Sequence, residues 1–572
     1  MSSITKRWAL AQSASSDLLG YFKERGIGAV LAQCLLNRGF ATPADAGSFL
    51  RGDVDTANPF LLKGMNQAVA RIRRAIKNHE WIVIYGDFDA DGVTSTALLV
   101  QTLTALGANV KPYIPHRVDE GYGLNSHALH KLAHEGVKLV VTVDCGIRSV
   151  DEVEDGKAAG LDIIITDHHS IGPDIPNALA VINPKQEDCK YPEDMLAGVG
   201  VAYKLADALL RAAQQAGQSP ALDADDLLDL VAIGTVADLA PLNRLENRIL
   251  VHRGLAVLNR AERPGLRALL EVSGVRPGQV TAMNIGYGLG PRINAAGRLE
   301  SAMIAYHLLT AKDEGEASRL AHQLQDLNNQ RQELTRQAQE SVRVQISAVP
   351  ADGQLIFASG HFKAGIVGLV AGRLAEEFFR PAIIMEEGDQ ESRASCRSIP
   401  QFDITRALDE CADLLVRHGG HAQAAGFTVL NNNIPALKTR LLRLAQDWLD
   451  GQELKPTLEI DAEVDVHHLS EHLVHELGQL EPTGFMNPSP TLMSSNLRIL
   501  ESRTVGKENQ HLKLKLARAG QPPVDAIGFG LGHWQSHLPE RIDAAFQVEM
   551  NEWTGYRNLQ LNLQDIRPVG GA

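Results

Sequence analysis

A chain of 572 residues is too long for one ordinary hydrophobic core, and three or four domains is its natural division. Its 44% hydrophobic and 22% charged residues are ordinary globular composition. The net charge of −14 speaks against a protein that coats nucleic acid non-specifically, without excluding a local basic groove or a phosphate site built on metal ions.

Residues 1–75 are predicted as a helical segment, with "LLGYFKERGIGAVLAQCLLNRGF" the clearest piece. From Trp81 the pattern changes to short β-branched runs: "WIVIYGD", "NVKPYIP", "VKLVVTVDCG", "LDIIITDHH" and "LAVINP". Amphipathic stretches such as "STALLVQTLTALGA" lie between several of them. Near-continuous apolar strands with helical crossovers predict an α/β domain whose parallel sheet is covered on both faces. Residues 198–285 read as mostly helical. Further on, Leu320, Leu324, Leu327, Leu334 and Ala338 fall on one helical face with a polar side opposite, which predicts a long linking helix. A second, smaller α/β pattern follows ("GQLIFASG", "AGIVGLVAGRLAEEF", "RPAIIMEEG"). From about 455 the chain turns β-rich and reads as a small barrel of the OB type. The five cysteines are scattered with no CxxC pair, no secretory h-region is visible and no apolar run approaches a membrane span, so a cytoplasmic protein without membrane contact is expected.

The chemistry collects at strand ends. Asp87, Asp89 and Asp91 follow the first strand at alternate positions, and close carboxylates disfavour one another's ionisation unless a cation sits among them. The run imitates an EF-hand loop, but the twelfth position is Leu98 and the run follows a strand, so that reading fails. A second strand ends in Asp144, a third in Asp167, His168 and His169, and Asp238 sits in an otherwise apolar helix-like run. The carboxyl ends of parallel strands face one crevice, so these groups can converge. A single Asp after a strand is ordinarily a cap or turn residue; four such segments together are not so explained. Carboxylates with imidazoles and no cysteine suit Mg²⁺ or Mn²⁺. So many anionic ligands point to two ions about 3.5–4 Å apart that activate a water and clamp a phosphoryl oxygen. "GYGLG" and "GVGVAYK" do not meet the dinucleotide fingerprint. The histidines His468, His472 and His475 read as a solvated helix face.

"DFDADG", "TVDCG", "TDHH" and "GTVAD", in this order, resemble the motifs of the DHH phosphoesterase superfamily. "IPHRVDEGYGLN", "GLGPRINAAGRL", "SGHFKAGIVGLVAGRL", "SRASCRSIP" and "GGHAQAAGF" narrow the resemblance to its RecJ branch, bacterial single-strand-specific 5′→3′ exonucleases. The resemblance implies that Asp87, Asp89, Asp91, Asp144, His168 and Asp238 hold two Mn²⁺ or Mg²⁺ ions, with Asp144 as the bridge and His169 facing the scissile phosphate. Tyr85 stands where many members carry a histidine, and Asp87 supplies the missing ligand. Catalytic roles thus fall on Asp144, His168 and His169. Ser395 and Arg397 become candidates for a terminal phosphate, with Gly419, Gly420, His421, Arg117, Arg292, Asn294 and Arg298 as further substrate contacts. "LEPTGFMNPSP" departs from the Gly-x-Gly-Asn-Pro turn usual in that branch.

The domain expectation is an N-terminal helical segment over 1–75, a DHH domain over 76–305, a linking helix over 306–349, a DHHA1 domain over 350–452 and an OB-like domain over 453–572. Lys513, Lys515, Trp553, Tyr556 and Arg557 are candidate strand contacts on the barrel. The implied activity is degradation of single-stranded DNA 5′→3′ to 5′-mononucleotides in repair and recombination. The implied protein is a monomer, with single-strand-binding protein and a helicase as possible partners. The alternatives are a phosphodiesterase for short oligonucleotides or cyclic dinucleotides, and an inactive strand-binding scaffold.

Overall fold

The computed structural model describes residues 5–52, 54–117, 119–347, 353–518, 520–551 and 557–570. Trp553, Tyr556 and the 349/350 boundary lie outside them. The chain groups into two units, Asp55–Leu454 and Met1–Val54 with Lys455–Ala572.

The larger unit begins with a five-stranded parallel sheet: β1 (Trp81–Gly86), β2 (Asn109–Tyr113), β3 (Val137–Val143), β4 (Asp162–Thr166) and β5 (Ala180–Ile182), in the order β2-β1-β3-β4-β5. Ile82, Val83, Ile84, Val140, Val141, Ile163 and Ile164 are fully buried, because helices cover both faces. Helix α1 (Ala90–Ala105) leaves β1 and is buried along most of its length against α2 (Gly198–Gln215) and α3 (Leu228–Ala237). Helix α4 (Gly290–Leu299) precedes the 34-residue α5 (Glu314–Ser347). The inward face of α5 changes core along its length. Ala317, Leu320, Leu324 and Leu327 belong to the core of the parallel sheet, whereas Ala338 and Val342 belong to that of the second sheet.

That second sheet contains β6 (Ile356–Gly360), β7 (Ala382–Glu386), β8 (Glu391–Arg397), β9 (Leu415–His421) and β10 (Ala424–Leu430), in the order β9-β10-β8-β7-β6. Only the β6–β7 pair is parallel. Helix α6 (Ala364–Phe378) packs on β7 and β8 and contributes Val370, Ala371 and Leu374 to the core below it.

In the smaller unit, strands Leu492–Val505, His511–Ala517, Val524–Gly528, Asn558–Pro568 and Arg541–Asn551 pair in turn, and the last pairs back to the first, closing a barrel. The helical segment expected over 1–75 is divided between the units. Arg7–Leu10 is a strand beside Thr457–Ile460, and Phe22, Leu35 and Phe49 share one core with Leu512, Phe546 and Leu561 of the barrel. Helix Met65–Lys77 turns Met65, Ala68 and Ile72 into the parallel-sheet core instead. Both stretches are amphipathic; helical periodicity reports that a face is buried and not against which core.

Candidate metal centre and phosphate cleft

Each acidic side chain is held by the element that carries it. Asp89 caps α1, its Oδ1 accepting from the Asp91 and Gly92 amides at 3.0 and 3.2 Å. Asn294 accepts from the Ala90 amide at 2.8 Å and completes that cap from α4. Asp91 lies inside the first turn of α1, and both its oxygens accept amides from the start of α2, Gly198 at 2.7 Å and Val199 at 2.8 Å. A helix N-terminus thus steadies a carboxylate in a crowded anionic pocket. Gly198 cannot carry a side chain: a Cβ would lie 2.7 Å from Asp144 Cβ. Asp144 ends β3 with φ 62°, a conformation unusual for a residue with a side chain and typical of functional sites. Asp238 caps the C-terminus of α3.

These groups converge. One ligand atom each from Asp87, Asp89 and Asp144 lies within 4.8 Å of the others, and the same holds for Asp91, His168 and Asp238 and for Asp144, His168 and His169. Asp144 therefore belongs to the carboxylate group and to a histidine group. His168 Nε2 stands 3.1 Å from Asp144 Oδ1, 3.6 Å from Asp238 and 3.9 Å from Asp91. Both Nε2 and Asp144 Oδ1 are buried without a hydrogen-bond partner. Orphaned buried atoms are rare, and an imidazole nitrogen facing carboxylate oxygens is a donor set suited to a divalent cation.

The electrostatics agree. Burial, then neighbouring Asp89, pushes Asp91 up to about 7, and burial with Asp91 and Asp89 pushes Asp238 up to about 9. Asp144 and Asp87 are raised well above the carboxylate range by burial and by their acidic neighbours. Burial and the neighbouring His169 bring His168 down to about 3, leaving it a neutral ligand. Tyr85 is no part of the cluster: its hydroxyl donates to the Gly123 carbonyl and its ring stacks on Tyr113.

Asp167 emerges as a supporting residue that strand-end reasoning left without a role. Fully buried, it accepts the His168, His169 and Ile147 amides and holds His169 Nδ1 at 2.7 Å. Burial opposes charge on His169, but this bond and the charges of Asp167, Asp87 and Asp91 outweigh it and raise the imidazole. Lys185 Nζ donates to the His168 carbonyl at 2.6 Å and Asn183 to the His169 carbonyl at 3.0 Å, fixing the turn. The Tyr122 hydroxyl reaches His169 Nδ1 at 3.2 Å. None of these roles has a local sequence signal, since each depends on a partner brought by the fold.

Guanidinium groups gather beside the carboxylates. Arg117 lies 3.8 Å over the Phe88 ring and donates to the Gly297 carbonyl. Arg298 donates to Gly365 at the start of α6, and burial with the charges of Arg117 and Arg331 lowers it to about 10. Arg397 reaches Ser395 Oγ at 3.3 Å, so the two act as one polar group at the end of β8. Arg292 is engaged by Gln325 and the Gly288 carbonyl. Gly420 is explained by its hairpin, where a Cβ would lie 2.4 Å from Ala425 Cα; beyond Gly419 such an atom meets nothing. Gly419 thus lies in a depression with Gly426, Arg393 and Arg417 around it, and His421 is exposed at the strand end. On the barrel, Lys515 is 3.5 Å from Glu501 and Arg557 is 2.7 Å from Glu471.

Family models match along the chain: the DHH family N-terminal domain over residues 81–235, the DHHA1 domain over 352–450 and the RecJ OB domain over 460–565. The chain is 38% identical over 565 residues to the single-stranded-DNA-specific exonuclease RecJ of Bacillus subtilis, covering 98% of this chain and 70% of that protein. It is 36% identical to RecJ of Dickeya dadantii, covering 95% and 96%. The crystal structure of Thermus thermophilus RecJ in complex with Mn²⁺ superimposes with a TM-score of 0.85 at 30% identity, over 99% of this chain and 80% of that one. The Mg²⁺ complex of the same protein gives 0.79 at 28% identity, over 99% and 79%.

Proposed function

The chain belongs to the RecJ family of single-stranded-DNA-specific exonucleases, and on that premise we propose how its residues degrade single-stranded DNA from the 5′ end to 5′-mononucleotides. One observation carries the reading: Asp87, Asp89, Asp91, Asp144, His168 and Asp238 converge in a largely buried nest with orphaned ligand atoms, and the guanidinium groups of Arg117 and Arg298 feel the charge of its carboxylates.

Asp91, His168 and Asp238 would hold one divalent ion and Asp87 and Asp89 the other, with Asp144 within reach of both groups. Mn²⁺ or Mg²⁺ held there would supply a water of lowered pKa and positive charge for a phosphoryl oxygen. The remaining work belongs to side chains. His169, oriented by Asp167, whose bond favours the protonated ring, donates to a non-bridging oxygen of the scissile phosphate. Arg117 and Arg298 hold the terminal nucleotide's backbone. Ser395 and Arg397 take the 5′-phosphate, a fork that fits a dianionic terminus better than an internal diester. That pocket gives direction, because only a 5′ end supplies a monoester one nucleotide from the cleaved bond. Asn294 and Arg292 support the walls, since both are occupied by internal partners. Gly419 and His421 border the strand's path.

The working lobes are taken as residues 76–305, 306–349 and 350–452, with 453–572 as a strand-holding barrel. A phosphodiesterase for short oligonucleotides needs only the two central lobes, 76–305 and 350–452, and an inactive scaffold has no use for a complete ligand nest. Among the described residues no helix is long and apolar enough to cross a membrane. We include a cytoplasmic monomer, served by single-strand-binding protein and a helicase, in the reading; five unpaired cysteines agree with a reducing compartment. End-labelled single-stranded DNA, incubated with and without Mn²⁺, tests the proposal. Mononucleotides released first from the 5′ end, only with metal, are expected; release from the 3′ end or by internal cuts would refute it.

A further inference from the structure

The second sheet leaves part of one face uncovered. On β8, Arg393, Ser395 and Arg397 share that face, while Ala394 and Cys396 between them point into the core. Register sets Thr428 of β10 beside Arg393 and Arg417 of β9 beside Thr428, so two arginines flank one threonine in a row across three strands. In the next row Gly426 lies beside Ser395 and Gly419 beside Gly426. Helix α6 packs on β7 and β8. Over β9 and β10 the two glycines raise no side chain, and a depression of about 340 Å³ remains, with Arg393, Arg417, Gly419, Gly426 and Thr428 around it.

Both guanidinium groups are exposed. Arg417 Nε donates to Thr428 Oγ1 at 3.2 Å, which holds the side chain against the row. Glu386 stands beside Arg393 in the β7–β8 pair without forming an ion pair with it, and Asp409 is engaged at 2.9 Å by His418, which points to the opposite face of β9. Two cations free of ion pairs, a hydroxyl and a glycine floor suit a phosphate that approaches closely.

Helix α6 places this recess relative to the metal nest. Arg298 donates to the Gly365 carbonyl in its first turn at 3.0 Å. Further along, a Cβ on Gly368 would lie 3.0 Å from Ser395 Oγ, and one on Gly372 would lie 3.9 Å from Arg397 Cγ. Strand β8 therefore leads away from Arg298 as it passes from Ser395 to Arg397. Arg393, one row and roughly 7 Å before Ser395, lies on the Arg298 side, and Asn294 of the same helix α4 caps the helix that carries Asp91. We propose that the recess between Arg393 and Arg417 is a subsite for a backbone phosphate on the 3′ side of the scissile bond. Ser395 and Arg397 take the terminal phosphate and the metal nest takes the scissile one, so the next phosphate of the strand is the first without a partner. The inference rests on that strand-end reading.

Substrate length tests it on the full chain with Mn²⁺. A 5′-phosphorylated dinucleotide carries only the terminal and scissile phosphates; a long strand carries the next one. Arg393→Gln combined with Arg417→Gln should raise KM on a long single strand about tenfold, the scale of one charge-assisted hydrogen bond. It should leave kcat on that strand, and kcat/KM on the dinucleotide, close to wild type. Arg417→Lys should recover part of the loss in an Arg393 background, since charge remains without the fork. Neutral methylphosphonate linkages 3′ of the scissile bond should cost wild type a similar factor and cost the double variant nothing more. The wild-type half of that comparison needs no variant to fold, and no loss there would overturn the proposal. Equal losses on dinucleotide and long strand, or none on either, would also overturn it. Weaker inhibition of the variant by free 5′-mononucleotide, with KM for long strands unchanged, would assign the recess to released product and refute the strand assignment. Failure of the underlying reading appears separately, as wild type indifferent to a 5′-phosphate or releasing nucleotides first from the 3′ end.

Discussion

The metal nest and the arginine track lie in one unit and err in opposite directions. In the first, Asp87, Asp89, Asp91, Asp144 and Asp238 crowd together until burial and mutual repulsion hold several of them protonated near neutrality. In the second, Arg117, Arg292, Arg298, Arg331 and Arg397 are all lowered by burial. Each region is poorly balanced without its ligand, and the ligands are complementary: divalent cations for one, phosphates for the other. The difference lies in what can relieve them. The carboxylates can take up protons at accessible pH, while guanidinium groups hold theirs and can be relieved only by an anion.

Removing a charge from the anionic side gives the largest effect. Asp144→Asn keeps the side-chain shape and tolerates the left-handed backbone at φ 62°, but weakens every ligand group to which Asp144 belongs. Metal stabilisation of phosphoryl charge is worth several kcal/mol, so kcat falls on the order of 1,000-fold or more. The metal-free variant should melt no lower than wild type, and its stabilisation by Mn²⁺ should shrink. Near-normal turnover would break the two-ion reading.

The matching change on the cationic side is smaller and selective. Arg397→Ala should cost about 1.5–3 kcal/mol on 5′-phosphorylated strands, roughly one to two decades in kcat/KM, while 5′-hydroxyl strands lose little. Arg397→Lys recovers part of it, because the fork geometry is gone. Equal losses on both ends would reduce Arg397 to a general contributor of positive charge and blur the contrast between the two regions.

The two regions were also unequally legible in the sequence. The nest is built mostly from strand ends, where Asp87, Asp89 and Asp91 are neighbours in the chain and the carboxyl-edge rule brings Asp144 and His168 to them; Asp238 joins from the end of α3. The parallel sheet, the linking helix and the barrel followed from periodicity and β-branched runs in the same way. The arginine track draws on α4, α5, β8 and the loop after β2, and no local pattern separates Arg331 from the surface arginines around it. Asn294 has a bond that its motif does not announce: its Oδ1 accepts from the Ala90 amide. The division of residues 1–75 escaped notice because an amphipathic helix does not name the core it faces.

Asp167 tests how far the anionic region depends on support, not ligation. Asp167→Asn leaves the ligand set intact but places an amide nitrogen where either the Ile147 amide or His169 Nδ1 now donates. With the amide nitrogen on the Ile147 side one donor loses its acceptor; on the other side His169 Nδ1 and the His168 and His169 amides all lose theirs. Supporting residues of this kind typically contribute about 10–100-fold, so kcat should drop within that range while Mn²⁺ stabilisation stays close to wild type. Because the bond to Asp167 helps keep His169 charged, the alkaline limb of the kcat profile should also move to lower pH. Loss of Mn²⁺ stabilisation comparable to that of Asp144→Asn would instead make Asp167 part of the ligand set.

The mildest test uses pH on the metal-free protein, where the two regions should part company. In the unfolded chain, Asp91 and Asp238 release their protons near pH 4; in the folded chain they hold them up to about 7 and about 9. Between those limits the native state binds more protons than the unfolded one, so their contribution to stability is fully present below about pH 4 and is lost as pH rises through the folded values. Melting temperature in EDTA should therefore decline from pH 5 to pH 9. Saturating Mn²⁺ should flatten or reverse that slope, since metal competes with those protons and binds better as they leave. The arginine track makes no contribution in this window, Arg298 at about 10 being its most accessible titration, and the slope should survive in Arg397→Ala. A double variant, Asp91→Asn with Asp238→Asn, removes both groups and should reduce it, Asp87 and Asp144 carrying what remains. A slope unchanged in that variant would trace the pH dependence to groups other than Asp91 and Asp238.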